Sequence, residues 1–271
     1  MPDQDFIPAR DGAALVHLGT YRRVLPVALE RLYENVLDWE HLPHVHRSEF
    51  ADVRCLEAGP GGWRAALTDG AGRIATVEVS LDRQRRRWIT RTIDGHGAGS
   101  AVWTHAFPES PRRVDVVVDF FVTAAPEVLR RRLGEAFAGR YRRLYDQDVA
   151  MMVERQRQLD RRLERAPASD RVLTLGQRAD LELPLEIVVG GREFVLAEVE
   201  GVLTAWPRQC PHQLGPLGTD ALEGREVVCR WHGDRFDALT GENLSGRACR
   251  LEHRPRIEID PSGSVVVTAT H

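Results

Sequence analysis

Two short loops constrain this chain more than anything else in it. They are Cys210-Pro211-His212 and Cys229-Arg230-Trp231-His232, with sixteen residues between His212 and Cys229. Each offers one thiolate and one imidazole from a tight turn, so the two together present four metal donors in two matched pairs. A structural Cys₂His₂ zinc site uses the same donors. From about Asp170 onward the pattern is β throughout. Gly190-Gly191 separates two apolar runs as a hairpin turn would, and Asp260-Pro261-Ser262-Gly263 does the same before a last strand, Ser264 to Thr270.

The residues around the loops argue against zinc. Gly215-Pro216-Leu217 follows the first, and Gly233-Asp234-Arg235-Phe236-Asp237, then Thr240-Gly241, follows the second. Residues 171–271 resemble the Rieske family, whose loops read C-x-H-x-G-x-x-L and C-x-x-H-G-x-x-F-D-x-x-T-G. The resemblance implies a [2Fe–2S] cluster with Cys210 and Cys229 on one iron and His212 and His232 on the other, at a higher potential than an all-Cys cluster. In the cytochrome-complex branch each loop carries a further Cys, and the two form a disulfide. Gly215 and Trp231 stand at those positions here. Asp234 replaces a Ser that donates to the cluster in that branch, which lowers the expected potential. The site is therefore similar to the oxygenase or ferredoxin type. Cys249 reads as a small buried hydrophobe and His253 as a structural residue.

Composition narrows the setting without naming a partner. The 271 residues suffice for two domains. With 42% hydrophobic and 28% charged residues and a net charge of −3, nothing favours nucleic acid or an anionic membrane. All 37 basic residues are Arg, spread along the chain among Asp and Glu, as genome composition bias produces. The sequence shows no apolar run of membrane-spanning length and no signal-peptide order at its start, and two of its four Cys are in metal-type spacing. A cytoplasmic location is the expectation.

Upstream of a linker at Ala166–Asp170 the order changes, and the spacing predicts an α+β domain over residues 1–168, followed by the β-rich domain over 169–271. Residues 12–25 read as a strand leading through Pro26 into a helix from Leu29 to Leu42. Short β-rich runs fill Glu49 to Thr123, among them Trp63–Leu67, Ala75–Leu81, Arg87–Ile93, Ala101–Phe107 and Arg113–Phe121. A long helix then runs from Pro126 to about Arg165. This order resembles the helix-grip (START-like) superfamily, which includes the catalytic domains of Rieske oxygenases and implies a cavity between sheet and helix. Trp63, Trp88, Trp103, Phe107, Phe120 and Phe121 are candidates to line that cavity or simply to form core. The Arg clusters at 130–132 and 142–143 read as the solvated back of the helix, or as a docking face for an acidic electron donor.

The stretch Glu34-Asn35-Val36-Leu37-Asp38-Trp39-Glu40-His41-Leu42-Pro43-His44-Val45-His46 carries a second constellation. It is similar to the E-N-x-x-D-x-x-H-x-x-x-x-H motif with which Rieske oxygenases bind a mononuclear Fe(II). The resemblance implies His41 and His46 as ligands and Asp38 as the acid bridging the two metal centres. On an ideal helix Asp38 and His41 share a face. Pro43 is expected to break the helix and let His46 turn inward, with His44 as a reserve ligand. The closing helix supplies a carboxylate. Its apolar stripe runs Leu129, Leu133, Phe137, Tyr141, Leu144, Met152, and Asp148 falls on it, while Asp146 lies about 200° away. A carboxylate facing an apolar interior is costly unless paired or metal-bound. Asp148 is thus the candidate third ligand, with pairing to an inward Arg as the alternative.

Two functions follow as expectations. The first is a Rieske non-haem iron oxygenase that hydroxylates or oxidatively demethylates a small, mainly apolar substrate with O₂. The chain has no flavin or NAD fingerprint, so electrons would come from a flavin reductase or a ferredoxin. The resemblance also implies a homo-oligomer, most simply a trimer, although the domain order here is inverted relative to most of the family. The second is a non-enzyme: a Rieske electron carrier fused to a START-like ligand-binding domain, with the histidines incidental.

Overall fold

The computed structural model describes residues 15–163 and 170–270. They fall into two compact units, one ending at Met152 and the other beginning at Val153.

In the first unit β1 (Val16–Leu25) leads into two short helices, α1 (Leu29–Leu37) and α2 (Leu42–Val45). A meander follows: β2 (Asp52–Gly59), β3 (Gly62–Thr68), β4 (Ile74–Asp82), β5 (Arg87–Gly95), β6 (Ala101–Ser110) and β7 (Arg113–Val122). The long helix α3 (Glu127–Leu163) comes last. The sheet order is β1-β7-β6-β5-β4-β3-β2, all antiparallel, so α1 and α2 carry the chain from one sheet edge to the other. Alternate residues on the strands face inward. Ala65, Leu67, Val77, Val79 and Phe120 join Leu32, Tyr145 and Met152 in one apolar cluster. The Phe120 ring lies 5.3 Å from Phe137 and 5.2 Å from Tyr141 of α3, which seats the helix on the sheet. This is the helix-grip, START-like fold.

Three local expectations need correction. The helix expected over Leu29–Leu42 ends at Leu37, and a separate helix starts at Leu42. Pro43 does not break it. Proline is tolerated in a first turn, where the missing N–H has no partner to lose, and Pro43 occupies that position in α2. Leu129 and Leu133 do not continue the buried stripe: they are exposed, and burial begins at Gly134. Among the aromatics, Trp63 and Trp88 reach the cavity and Phe120 is core. Phe107 is exposed, because strand alternation puts it with Trp103 and Phe121 on the outer face.

The second unit takes in the end of α3, where Arg161 pairs with Glu193 at 2.7 Å. The expected boundary between Ala168 and Ser169 lies outside the described residues. The strands are β8 (Val172–Gln177), β9 (Leu185–Val189), β10 (Arg192–Val199), β11 (Val202–Pro207), β12 (Leu222–Glu223), β13 (Glu226–Val228), β14 (Arg235–Asp237), β15 (Arg256–Ile259) and β16 (Ser264–Thr268). They form three small sheets, β11-β10-β9, β12-β13-β14 and β15-β16-β8. Gly190 and Gly191 make the β9–β10 turn, both at positive φ (59° and 69°), as a two-residue hairpin requires. Ile187, Phe194, Leu196, Val265 and Val267 build an apolar core between sheets. The unit is all-β apart from the helical turns at its start and two short 3₁₀ turns.

Two candidate metal centres

The two Cys/His loops of the second unit are copies of one backbone design. Cys210 N–H donates to Gly215 O and Leu214 N–H donates back to Cys210 O, at 2.8 and 2.9 Å. Cys229 N–H donates to Asp234 O and Gly233 N–H to Cys229 O, both at 2.8 Å. The fifth residue of each loop is left-handed, Leu214 at φ 67° and Gly233 at φ 69°. Gly is the ordinary choice there; a buried Leu in the first loop is strained and is held by its surroundings. The loops face one another closely: a Cβ on Gly215 would lie 3.0 Å from Cys229 Sγ and 2.9 Å from the Trp231 ring. A side chain at Gly215 would have to push the Trp231 ring aside.

The four donors converge. Cys210 and Cys229 are buried and not in a disulfide, and the His212 and His232 rings meet edge to face at 4.5 Å. The hydrogen bond between the thiols lowers Cys229 below the usual thiol range, against burial. His212 Nδ1 is buried without a hydrogen bond, 3.2 Å from Asp234 Oδ2, which also lacks one. Two buried thiols and two converging imidazoles fit a bound metal cluster with two sulfur and two nitrogen ligands. Asp234 Oδ1 accepts from Arg247 Nε at 2.9 Å. Burial opposes its ionisation, but His212 and Arg247 hold its carboxyl down at about 2. Cys249 is only half-buried, its sulfur facing Asn243 Nδ2 at 3.7 Å, rather than the buried hydrophobe expected. His253 is exposed with φ 55°.

In the first unit the structure brings His41, His46 and Asp148 together, all buried, with potential ligand atoms within 4.8 Å of one another. His46 closes α2, His41 precedes it, and Asp148 projects from α3. His46 Nε2 lies 3.0 Å and His41 Nε2 3.4 Å from Asp148 Oδ1. His41 Nδ1 faces Asp38 Oδ2 at 3.6 Å, so Asp38 stands behind His41 although the two share no helix. His44 is outside the group. Asp146 points away, pairing with Arg23 at 2.6 Å.

Two contacts were not foreseen. Gln147 Oε1 accepts from His46 Nδ1 at 2.7 Å, which sets the tautomer with Nε2 toward Asp148. Asn35 Nδ2 donates to Asp148 Oδ1 at 3.1 Å. The position of Asn35 in the motif hinted at a role; nothing in the sequence distinguished Gln147. Burial opposes the charged form of His41, yet Asp148 and Asp38 push it up to about 10, and the two imidazoles hold Asp148 well below the usual carboxylate range. Two imidazoles and one carboxylate, buried and converging with no Arg among them, fit a facial metal triad. They line one part of a cavity of about 350 Å³ whose other walls include Trp63, Val77, Val79, Trp88 and Phe137.

Residues 172–253 match the Rieske [2Fe-2S] domain family, so the chain joins a helix-grip unit to a Rieske [2Fe–2S] domain. Over 60 residues it is 42% identical to the ferredoxin component of the naphthalene 1,2-dioxygenase system of Pseudomonas putida, a match spanning 22% of this chain and 58% of that protein. The ferredoxin component of the Ralstonia sp. naphthalene 1,2-dioxygenase/salicylate 5-hydroxylase systems is 41% identical over 58 residues, 21% of this chain and 56% of that one. The chain thus spans less than two thirds of the length of these curated relatives. Among solved structures, the Zhui aromatase/cyclase from Streptomyces sp. R1128 covers 52% of this chain and 96% of its own at 18% identity and TM-score 0.44. A chain from the complex of reduced oxygenase and oxidized ferredoxin in carbazole 1,9a-dioxygenase covers 37% of this chain and 94% of its own, at 23% identity and TM-score 0.31. No helix among the described residues is long and apolar enough to cross a membrane.

Proposed function

We propose that this protein is a Rieske-type oxygenase component, with a [2Fe–2S] cluster on Cys210, His212, Cys229 and His232 and a mononuclear Fe(II) on His41, His46 and Asp148. The observation that carries the reading is the buried triad at the wall of an apolar cavity. A bare cluster of two imidazoles and a carboxylate in such a place is costly to fold without a metal. Bound there, iron supplies open positions for O₂ and substrate, and a Rieske cluster supplies electrons.

The chain's own residues do the rest. Gln147 orients His46 through a hydrogen bond to Nδ1, and the Asp38 carboxylate faces His41 Nδ1 at 3.6 Å, leaving both Nε2 atoms for the metal. Asn35 keeps the Asp148 carboxylate turned toward them. Trp63, Trp88, Phe137 and the valines of β4 exclude water and hold a small, mainly apolar substrate beside the triad. A flavin reductase or ferredoxin delivers electrons, and a trimer is the expected assembly. The test is dioxygen uptake driven by NADH and a flavin-dependent reductase. We expect His41→Ala to abolish uptake while the visible spectrum of the cluster stays intact. Uptake at the wild-type rate in that variant would overturn the assignment.

A second reading is favoured by the curated relatives, which are ferredoxin components. In it the chain carries electrons to an oxygenase partner, and the helix-grip unit binds a ligand without transforming it. Wild-type protein that holds the cluster yet consumes no dioxygen under these conditions supports that reading.

A further inference from the structure

The cavity is not uniformly apolar. At one part of its lining stand the buried His41, His46 and Asp148; at another stand the exposed His96 and Gly97, where the cavity reaches the surface. From β5, Trp88, Thr90 and Thr92 also face the cavity, two residues apart. Thr90 is hydrogen-bonded to the Tyr141 hydroxyl. Thr92, one step nearer the surface, is different. Ser100, at the end of the β5–β6 hairpin, donates its hydroxyl to Thr92 Oγ1 at 3.0 Å. The backbones of the two segments are clamped as well: Thr92 N–H donates to Ser100 O and Gly99 N–H to Thr92 O, at 3.0 and 2.9 Å.

This direction of donation leaves a specific vacancy in the hydrogen-bonding scheme. A hydroxyl has one proton and two lone pairs. With Ser100 donating to Thr92, the proton of Thr92 and a lone pair of Ser100 remain for a third group. A ligand hydroxyl, which both accepts and donates, meets both demands. A carboxylate meets only one; Arg140, the guanidinium lining the cavity, is already engaged with Glu49 at 3.0 Å, which Arg143 shares at 2.6 Å, and Asp69 is paired with Arg73 at 2.7 Å. Apart from Asn35 and Asp38, the remaining wall is mainly valine, leucine, alanine and aromatic side chains.

We infer that the cavity selects neutral, phenol-like molecules: an apolar ring body lying toward the triad, with a hydroxyl anchored by the Thr92–Ser100 pair. This refines the substrate side of the proposed function but needs only the cavity, so its failure and that of the iron assignment are separable. The experiment is equilibrium dialysis of the full-length protein with three probes of one shape: indane, 5-indanol and indane-5-carboxylate. For the wild type 5-indanol should bind about tenfold more tightly than either of the others, as one additional buried hydrogen-bonded group gives. In the Thr92→Val/Ser100→Ala double variant 5-indanol should fall to the level of indane, whose own binding stays unchanged and reports an intact cavity. Thr92→Ser, which keeps the hydroxyl, should retain the preference. Equal binding of indane and 5-indanol by the wild type overturns the inference. So does an advantage that survives the double variant, tightest binding of the carboxylate, or no binding of any probe.

Discussion

At the scale of single residues, Gln147 is the most informative position outside the ligand set. Its side-chain oxygen takes the proton on His46 Nδ1, so the imidazole presents a lone pair at Nε2 rather than a proton. Removing such a partner typically weakens a metal site about 10- to 100-fold. Gln147→Leu should therefore lose iron from the triad on dialysis against a chelator, while Gln147→Glu, which keeps an acceptor, should hold it. The iron-to-sulfide ratio checks this, because acid-labile sulfide counts only the cluster. An unchanged ratio in Gln147→Leu would show that the contact does not support a metal. Gly215 makes the complementary point in the second unit: there the constraint is space, with a Cβ only 3.0 Å from Cys229 Sγ.

At the scale of elements, the seating of α3 depends on one glycine. A Cβ on Gly134 would lie 2.3 Å from the carbonyl oxygen of Leu18 on β1. In an exposed helix Gly→Ala gains about 1 kcal/mol. Here the sign should reverse, and Gly134→Ala should destabilise the first unit by roughly 1–3 kcal/mol, because backbone must move to admit the methyl. Urea unfolding of the variant against wild type measures this; a stabilised variant would mean that α3 does not pack on β1 there. Strand alternation and hairpin turns were legible in the sequence, since period-2 burial and the Gly190-Gly191 turn rest on local rules. The end of α1 was not. The chain leaves the helix at Asp38, with Asp38 N–H bonded to Glu34 and Asn35 carbonyls, and no proline or glycine marks the place. The exposure of Leu129 and Leu133 was equally hidden, because a helix stripe does not reveal where the sheet beneath it stops.

At the scale of the whole molecule, two candidate metal centres lie on one chain and differ in how far sequence alone discloses them. The Cys/His loops carry their geometry in a few adjacent residues, and the domain match spans them. The triad draws on α2 and α3, more than a hundred residues apart, so periodicity could nominate Asp148 but only the fold brings it to His41 and His46. The supports behind the triad, Gln147 above all, are legible only once those elements are packed together. Under the proposed function both centres hold iron at once. Iron and acid-labile sulfide per chain test it most directly, in wild type and in Asp148→Ala. Wild type should hold about three irons and two sulfides per chain, and Asp148→Ala about two irons with sulfide unchanged. Two irons in both proteins would contradict it.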